Sequence, residues 1–186
     1  ANSQENANSQ ENENTQENEN TQENIKQIKA ISKEAIRYFN KAISKGSVEA
    51  KVLLGKFLYQ LNINPSNKAD AVRYFKEAAD EGNGEAMDLY GIVLFNGDNV
   101  AENKTEAIKY YKKAADEAGN VNAMLNLANI YRSGDGVNEN KIEAAKYFKK
   151  AADNGNIIGM LLYSYMLDIG EGIPRNEVEA ERYRRM

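Results

Sequence analysis

Apolar and polar residues along most of the chain follow the spacing of amphipathic helices. In the clearest stretch, small and aromatic residues occur at positions i, i+3, i+4, i+7 and i+8, which places them on one face of an α-helix. They are Ala107, Tyr110, Tyr111, Ala114 and Ala115. A second amphipathic stretch follows, with small residues at Ala123 and Ala128. Small residues allow close approach, so this pattern predicts a second helix packed closely against its neighbours.

The two-helix pattern recurs at a fixed period. One tyrosine marks the same position in each copy, with spacings of 36 or 37 residues: Tyr38, Tyr74, Tyr110, Tyr147 and Tyr183. A fixed period of this length is typical of helical-repeat solenoids. The sequence therefore predicts an all-α fold with about 4.5 repeats. The predicted repeats are residues 31–66, 67–102, 103–139, 140–175 and a half repeat at 176–186.

Capping residues predict where the first helix of each repeat begins. An Asn followed three residues later by an acid can satisfy two orphan amides at a helix start. The pairs are Asn67 and Asp70, Asn103 and Glu106, Asn140 and Glu143, and Asn176 and Glu179. The first repeat lacks this pair, but Asn24 with Gln27 offers a cap upstream. Its first helix is therefore predicted to begin near Ile25.

The first 24 residues differ in composition from the rest. They form a hexapeptide repeat of the NSQENA type, with six Glu, no Lys or Arg, and no apolar residue larger than alanine. Such a segment buries too little apolar surface to offset the entropy of ordering it. Residues 1–24 are therefore predicted to be a disordered tail, either a plain linker or an acidic interaction arm. The whole chain carries −4, so the predicted solenoid at 25–186 carries about +2.

The composition narrows the function classes. The chain has no Cys and no His, which removes a thiolate nucleophile, a Ser-His-Asp triad and zinc ligation by Cys or His. No phosphate-binding loop is present. We therefore expect no enzyme activity and no cofactor.

Apolar runs are too short to span a membrane, so we expect no membrane insertion and a cytoplasmic location, with the secretory lumen as an alternative. The first residue is Ala rather than Met, which suggests a fragment of a larger protein.

The repeated helix reads A-x-x-Y-F/Y-x-x-A-A-x-x-G-N, and the turn at residues 134–137 reads G-D-G-V. With a period longer than the 34 residues of tetratricopeptide repeats, residues 31–186 resemble the Sel-one-like repeat family. Two features depart from that family: Tyr replaces its frequent Trp, and the paired Cys of some secreted members are absent. The resemblance implies a right-handed superhelical solenoid of antiparallel helix pairs that binds other proteins.

A basic ladder runs along the first helices. Its residues are Arg37, Arg73, Lys76, Lys109, Lys112, Lys146 and Lys149, and Arg182 and Arg185 continue it. In a stacked array these side chains would align on or near the concave face and could bind an acidic peptide. The alternative is a solvated face whose cations complement the carboxyl ends of the helices. Nucleic acid is not expected as a partner, because the solenoid is only weakly basic and no exposed aromatic residues interleave with the cations.

Two other features suggest sites or contacts. The turns contain Asp98, Asp135 and Glu171, but they lack the dense carboxylate spacing of a calcium loop, so turn chemistry explains them. Residues 157–169 are almost wholly apolar, which predicts an exposed face and self-association through the C-terminal end.

These observations favour a non-catalytic scaffold or adaptor that binds a protein or peptide on the concave face of the solenoid. The alternative is a regulatory repeat module of a larger enzyme, such as a kinase or a cell-wall synthase. The sequence does not identify the partner.

Overall fold

The structure is a computed structural model that describes residues 2–61 and 65–186. These residues form nine α-helices and no strand, as predicted. The helices are α1 (Asn2–Ile43), α2 (Val48–Leu61), α3 (Pro65–Asp80), α4 (Gly84–Asn96), α5 (Lys104–Asp116), α6 (Val121–Ser133), α7 (Lys141–Asp153), α8 (Ile157–Ile169) and α9 (Glu177–Arg185).

The chain divides into two compact units, residues 1–47 and residues 48–186. The first unit consists of α1 and the turn that ends it. The helix is continuous through Asn24, so the predicted helix start near Ile25 is wrong. Residues 2–43 contain no Pro and no Gly, and nothing in that stretch interrupts a helix once it has formed.

The N-terminal residues are helical in the structure, whereas the sequence analysis predicts disorder for 1–24. Gln and Glu are good helix formers, which accounts for helical geometry. A helix without an apolar face gains no stability from packing, however, and helices in proteins are stabilised mainly by packing. Disorder of this segment in solution therefore stays a prediction.

In the second unit, consecutive helices from α2 to α9 pack against each other. Small residues mark the closest contacts, as predicted: Ala86, Ala123 and Ala128 are completely buried. At Gly91 an added Cβ would lie 2.7 Å from the ring of Tyr111. Glycine is therefore required there for α4 and α5 to approach each other.

Asparagine caps begin most of these helices. The predicted caps at Asn103, Asn140 and Asn176 accept a hydrogen bond from the amide three residues later, at 3.0–3.1 Å. The cap at Asn67 is wrong, since α3 already begins at Pro65. Proline has the backbone angle of a helix and lacks the amide that would otherwise need a partner, so it is favoured at a helix start.

A second set of caps was missed. Asn83, Asn120 and Asn156 begin α4, α6 and α8 in the same way, each at 2.9 Å. The signal was available, because each of these residues directly follows the recurring glycine that ends the preceding helix. Those glycines adopt positive φ angles, 92° at Gly82 and 81° at Gly155.

Candidate functional site

The first row of the basic ladder, which in the second unit comprises Arg73, Lys109 and Lys146, lies on the surface beside acidic residues of the same helices. Each cation is paired with the acid three residues before it, and Arg73 is also paired with Glu77 at 2.9 Å. The pairs are Arg73–Asp70, Lys109–Glu106 and Lys146–Glu143, with nitrogen–oxygen distances of 3.3, 3.9 and 3.2 Å. The cationic side chains keep exposed fractions of 51, 67 and 55%. Exposed pairs of this kind contribute only about 0.2–0.5 kcal/mol, so all three cations remain available to an external carboxylate.

The second row of the ladder, which comprises Lys76, Lys112 and Lys149, bonds acids of the same helices and contacts aromatic rings of other helices. Lys76 and Lys149 donate hydrogen bonds to Asp80 and Asp153 at 2.6 and 2.7 Å. The pKa of Lys149 is raised by its bond to Asp153 and then by Tyr183, a residue of the next repeat. Lys112 differs, since its ammonium lies 5.6 Å from the centre of the Tyr131 ring. Lys112 and Lys149 therefore also contact other helices, whereas the bond of Lys76 lies within α3.

Arg37 belongs to the first unit. Its guanidinium lies 3.9 Å from Glu34 and 5.2 Å from the centre of the Tyr38 ring. Arg37 is thus an exposed cation with a local acid, like the first-row residues of the second unit. At the other end, Arg185 bonds Glu181 at 2.6 Å and Arg182 lies 5.5 Å from the Tyr183 ring centre.

Tyrosine–aspartate hydrogen bonds connect successive repeats. The hydroxyl of the marker tyrosine donates to the last aspartate of the first helix one repeat earlier. The bonds are Tyr110–Asp80 at 3.1 Å, Tyr147–Asp116 at 2.9 Å and Tyr183–Asp153 at 2.7 Å. These bonds were not predicted from the sequence, although the aspartate recurs in the motif Ala-Ala-Asp. Burial, followed by the bond to Asp80, raises the pKa of Tyr110 to about 12.

Lysine pairs account for the acidic turns. A lysine near the start of one repeat's first helix meets the acid of a turn about 30 residues later. The pairs are Lys68–Asp98 at 3.5 Å, Lys104–Asp135 at 2.6 Å and Lys141–Glu171 at 3.3 Å. Within residues 2–61 and 65–186, no group of three or more acidic residues is placed to hold a metal ion. Each turn acid thus contacts the start of the first helix of its own predicted repeat.

An open groove lies beside the C-terminal part of the ladder. Its volume is about 290 Å³, and Lys146 and Lys149 line it together with Ile142, Tyr163 and Ile173. Ile142 is 66% exposed. Lys150 and Asp153 also line the groove, which therefore combines three cations and one carboxylate with an apolar surface that water reaches.

One carboxylate is buried between repeats. Asp88 in α4 is 4% exposed and accepts a hydrogen bond from Asn126 of α6 at 2.8 Å. Burial raises its pKa to about 6, with a smaller rise from the charge of Glu85, while the bond from Asn126 acts in the opposite direction. At the same register the other second helices have Val52, Leu125 and Leu161 in place of Asp88, and Leu53, Leu89 and Leu162 in place of Asn126. This polar pair replaces apolar packing.

The outer face of α8 is apolar and exposed. Its residues Ile157, Ile158, Leu161, Tyr165 and Ile169 have exposed fractions of 72, 56, 55, 52 and 53%. They recur at helical spacing on one side, opposite the buried Tyr163 and Leu167. An exposed α8 face was predicted from the sequence, and the structure contains one. No helix within the described ranges is long and apolar enough to cross a membrane.

A search of known families matches the chain to a model described as Sel1 repeat. The matched residues are 32–47, 48–83, 84–118, 121–156 and 157–183. These segments differ in phase from the predicted repeats by one helix, since 48–83 contains α2 and α3. The resemblance stated from the sequence is confirmed.

Solved structures give the same fold. One is c5321, described as a protective antigen present in uropathogenic Escherichia coli strains displaying an SLR fold. It has 30% identity and a TM-score of 0.75, and the match covers 82% of this chain and 32% of that one. A Sel1 repeat protein from Oxalobacter formigenes has 24% identity and a TM-score of 0.70, with 79% and 60% covered. This chain thus spans about a third and three fifths of their lengths. No curated protein matched the sequence.

Proposed function

The chain belongs to the Sel1 repeat family, and on this basis we propose that it is a non-catalytic scaffold that binds a protein or peptide. The proposed site is the basic ladder, on the face expected to be concave. The groove lined by Lys146, Lys149 and Ile142 carries this proposal, because it joins positive charge to accessible apolar surface. A peptide that combines acidic and apolar side chains has matching chemistry.

The ion pairs within the chain are weak, which supports the ladder as a binding site for a partner. Arg73, Lys109 and Lys146 are paired only with acids of their own helices, at exposed positions. Such pairs are screened by salt and contribute little to stability. A partner carboxylate can displace the intramolecular acid at small cost, and several displacements along the array add up to useful affinity.

The experiment compares two triple charge reversals. The test variant is Arg73→Glu, Lys109→Glu and Lys146→Glu. The control carries the same change in net charge at exposed lysines outside the ladder: Lys29→Glu, Lys45→Glu and Lys113→Glu. Partner capture from the source cell, quantified by mass spectrometry at 50 and 300 mM salt, is the readout.

We expect the test variant to lose captured partners and the control to retain them, with weaker capture at high salt for the unmodified protein. Each reversal also places a like charge beside an acid, at a cost of about 0.5 kcal/mol or less. Neutral substitutions to Gln at the same three sites therefore serve as a milder second variant. Equal capture by the protein and both ladder variants would leave the solvated-face interpretation in place.

The proposal includes self-association through the C-terminal end. The exposed apolar residues of α8 support it, since large uncovered apolar patches tend to be interaction surfaces. A sedimentation coefficient that rises with protein concentration is the expected result, and a constant monomer value would oppose this part of the proposal.

A further inference from the structure

The apolar face of α8 contains two kinds of position, which become apparent when the second helices are superimposed by their capping residues. The first kind is covered by the neighbouring repeat. Leu161 corresponds to Val52, Asp88 and Leu125 of the earlier repeats. Val52 and Asp88 are 2% and 4% exposed. A further repeat stacked on α8 would therefore cover Leu161, so stacking accounts for an apolar residue at this position.

The second kind is not explained by stacking. Ile158 corresponds to Glu49, Glu85 and Asn122, and Ile169 corresponds to Gln60, Asn96 and Ser133. All six of these polar residues are exposed, although further helices follow each of them. A further repeat stacked on α8 would thus leave Ile158 and Ile169 in water. Tyr165 is less distinctive, since the same register holds the half-buried Lys56 and Ile92 as well as the exposed Asn129 of α6.

We infer that α8 pairs antiparallel with α8 of a second copy of this chain, around a twofold axis. The inference rests on the self-association in the proposed function and adds its geometry. Two observations point to a second copy. The only charged residue of α8 is Asp168, which is ion-paired with Arg184 of the same chain, so two such faces meet without repulsion between like charges. The apolar residues also run the whole length of the helix, from Ile157 to Ile169, so the face is complementary to itself when reversed.

The size of the face sets the expected affinity. Five half-exposed large side chains make a patch on the order of 500 Å², within the range of about 300–600 Å² found for the largest, often functional, patch on a monomer. A standard interface buries about 800 Å² on each partner. We therefore expect a weak dimer with a dissociation constant of about 1–100 μM.

The first arm of the test places the residues of α6 on α8. The variant Ile158→Asn, Tyr165→Asn and Ile169→Ser introduces side chains that the same register already carries at exposed positions. Sedimentation velocity of the full chain between 1 and 300 μM should show dimerisation of the unmodified protein and a monomer for this variant, with about a tenfold or greater loss of affinity. Leu53→Asn on α2, a leucine of similar exposure at 50%, should leave dimerisation unchanged.

The second arm tests the antiparallel geometry. The chain contains no Cys, so introduced cysteines give an unambiguous result. Ile158→Cys with Ile169→Cys should form an intermolecular disulfide on mild oxidation, because antiparallel pairing brings position 158 of one copy near position 169 of the other. Within one chain these positions lie about 16 Å apart along the helix, too far for a bridge. Each single cysteine variant should give little cross-linked dimer.

The outcomes separate the two claims. A monomer at every concentration overturns both self-association and this geometry. Dimerisation that survives the triple variant, or cross-linking by single cysteines as efficient as by the pair, overturns the antiparallel α8 interface while self-association stands. Circular dichroism of each variant, with an unchanged melting curve, establishes that loss of dimer is not loss of fold.

Discussion

Replacing the buried carboxylate of Asp88 should make the protein more stable at neutral pH. Asp88 is 4% exposed and has one side-chain hydrogen bond, from Asn126 at 2.8 Å. Its pKa of about 6 lies above the ordinary value of 3.8, mainly because burial disfavours the charged form. The perturbation is Asp88→Asn, which removes the charge, keeps the shape and leaves an oxygen to accept from Asn126.

The magnitude follows from the two pKa values. Above pH 6 the carboxylate is ionised in both the folded and the unfolded protein, and the difference between 3.8 and about 6 corresponds to a cost of about 3 kcal/mol. The folded protein takes up its proton first as the pH falls, so this cost disappears between pH 6 and pH 3.8. We therefore expect Asp88→Asn to stabilise by about 1–3 kcal/mol at pH 7.5 and by little at pH 4. The lower bound allows for a weaker, neutral hydrogen bond.

The assay is urea unfolding followed by circular dichroism at pH 7.5, 5.5 and 4. The matched control is Glu117→Gln, which neutralises an exposed carboxylate and should change stability by less than about 0.5 kcal/mol. At each pH the quantity compared is the difference in free energy of unfolding between Asp88→Asn and the unmodified protein, because other carboxylates also titrate at low pH. A difference that is zero or negative at pH 7.5, or equal at all three pH values, would refute the reasoning. Asp88→Leu with Asn126→Leu, the residues of the other repeats, should also be more stable at pH 7.5.

Two further predictions concern the repeat contacts and the N-terminal segment. Tyr147→Phe removes the hydroxyl that donates to Asp116 at 2.9 Å and should lower the free energy of unfolding by about 1 kcal/mol in thermal unfolding. The control Tyr165→Phe, at an exposed tyrosine, should lower it by less than about 0.5 kcal/mol. Equal effects would mean that the bond between repeats contributes nothing. Deletion of residues 1–24 should leave the melting temperature of the rest nearly unchanged, because that segment has no apolar face to pack; a fall of several degrees in a calorimetric scan would show that it docks.

Much of the fold could be predicted because the same residue pattern recurs in each repeat. Asn103, Asn140 and Asn176 recur with an acid three residues later, and agreement among copies marks them as caps. Asn67 has the same signature and is not a cap, because Pro65 begins α3 earlier. The local sequence does not show at which of these two residues the helix begins. The continuous α1 was missed for a similar reason, since a helix that lacks an apolar face has no periodic signal.

The candidate site could be predicted only in part. The positions of the ladder cations, and of their acids three or four residues away, can be read from the sequence. The exposure of these cations depends on tertiary packing and cannot. The Asp88–Asn126 pair was missed because the two residues are 38 positions apart and no other two successive second helices have polar residues at both positions. A contact that no other copy shares has no periodicity to reveal it.

The tyrosine–aspartate bonds have a consequence for the order in which the chain folds during synthesis. Each acceptor, such as Asp80, leaves the ribosome about 30 residues before its donor, here Tyr110. At about 5–20 residues per second this delay is about 1.5–6 s, far longer than helix formation takes. These aspartates therefore lack their bond to the next repeat until that repeat has been made, although Lys76 and Lys149 of the same helices already bond Asp80 and Asp153. The three bonds between repeats thus form one after another from the N-terminal side, in the order of synthesis.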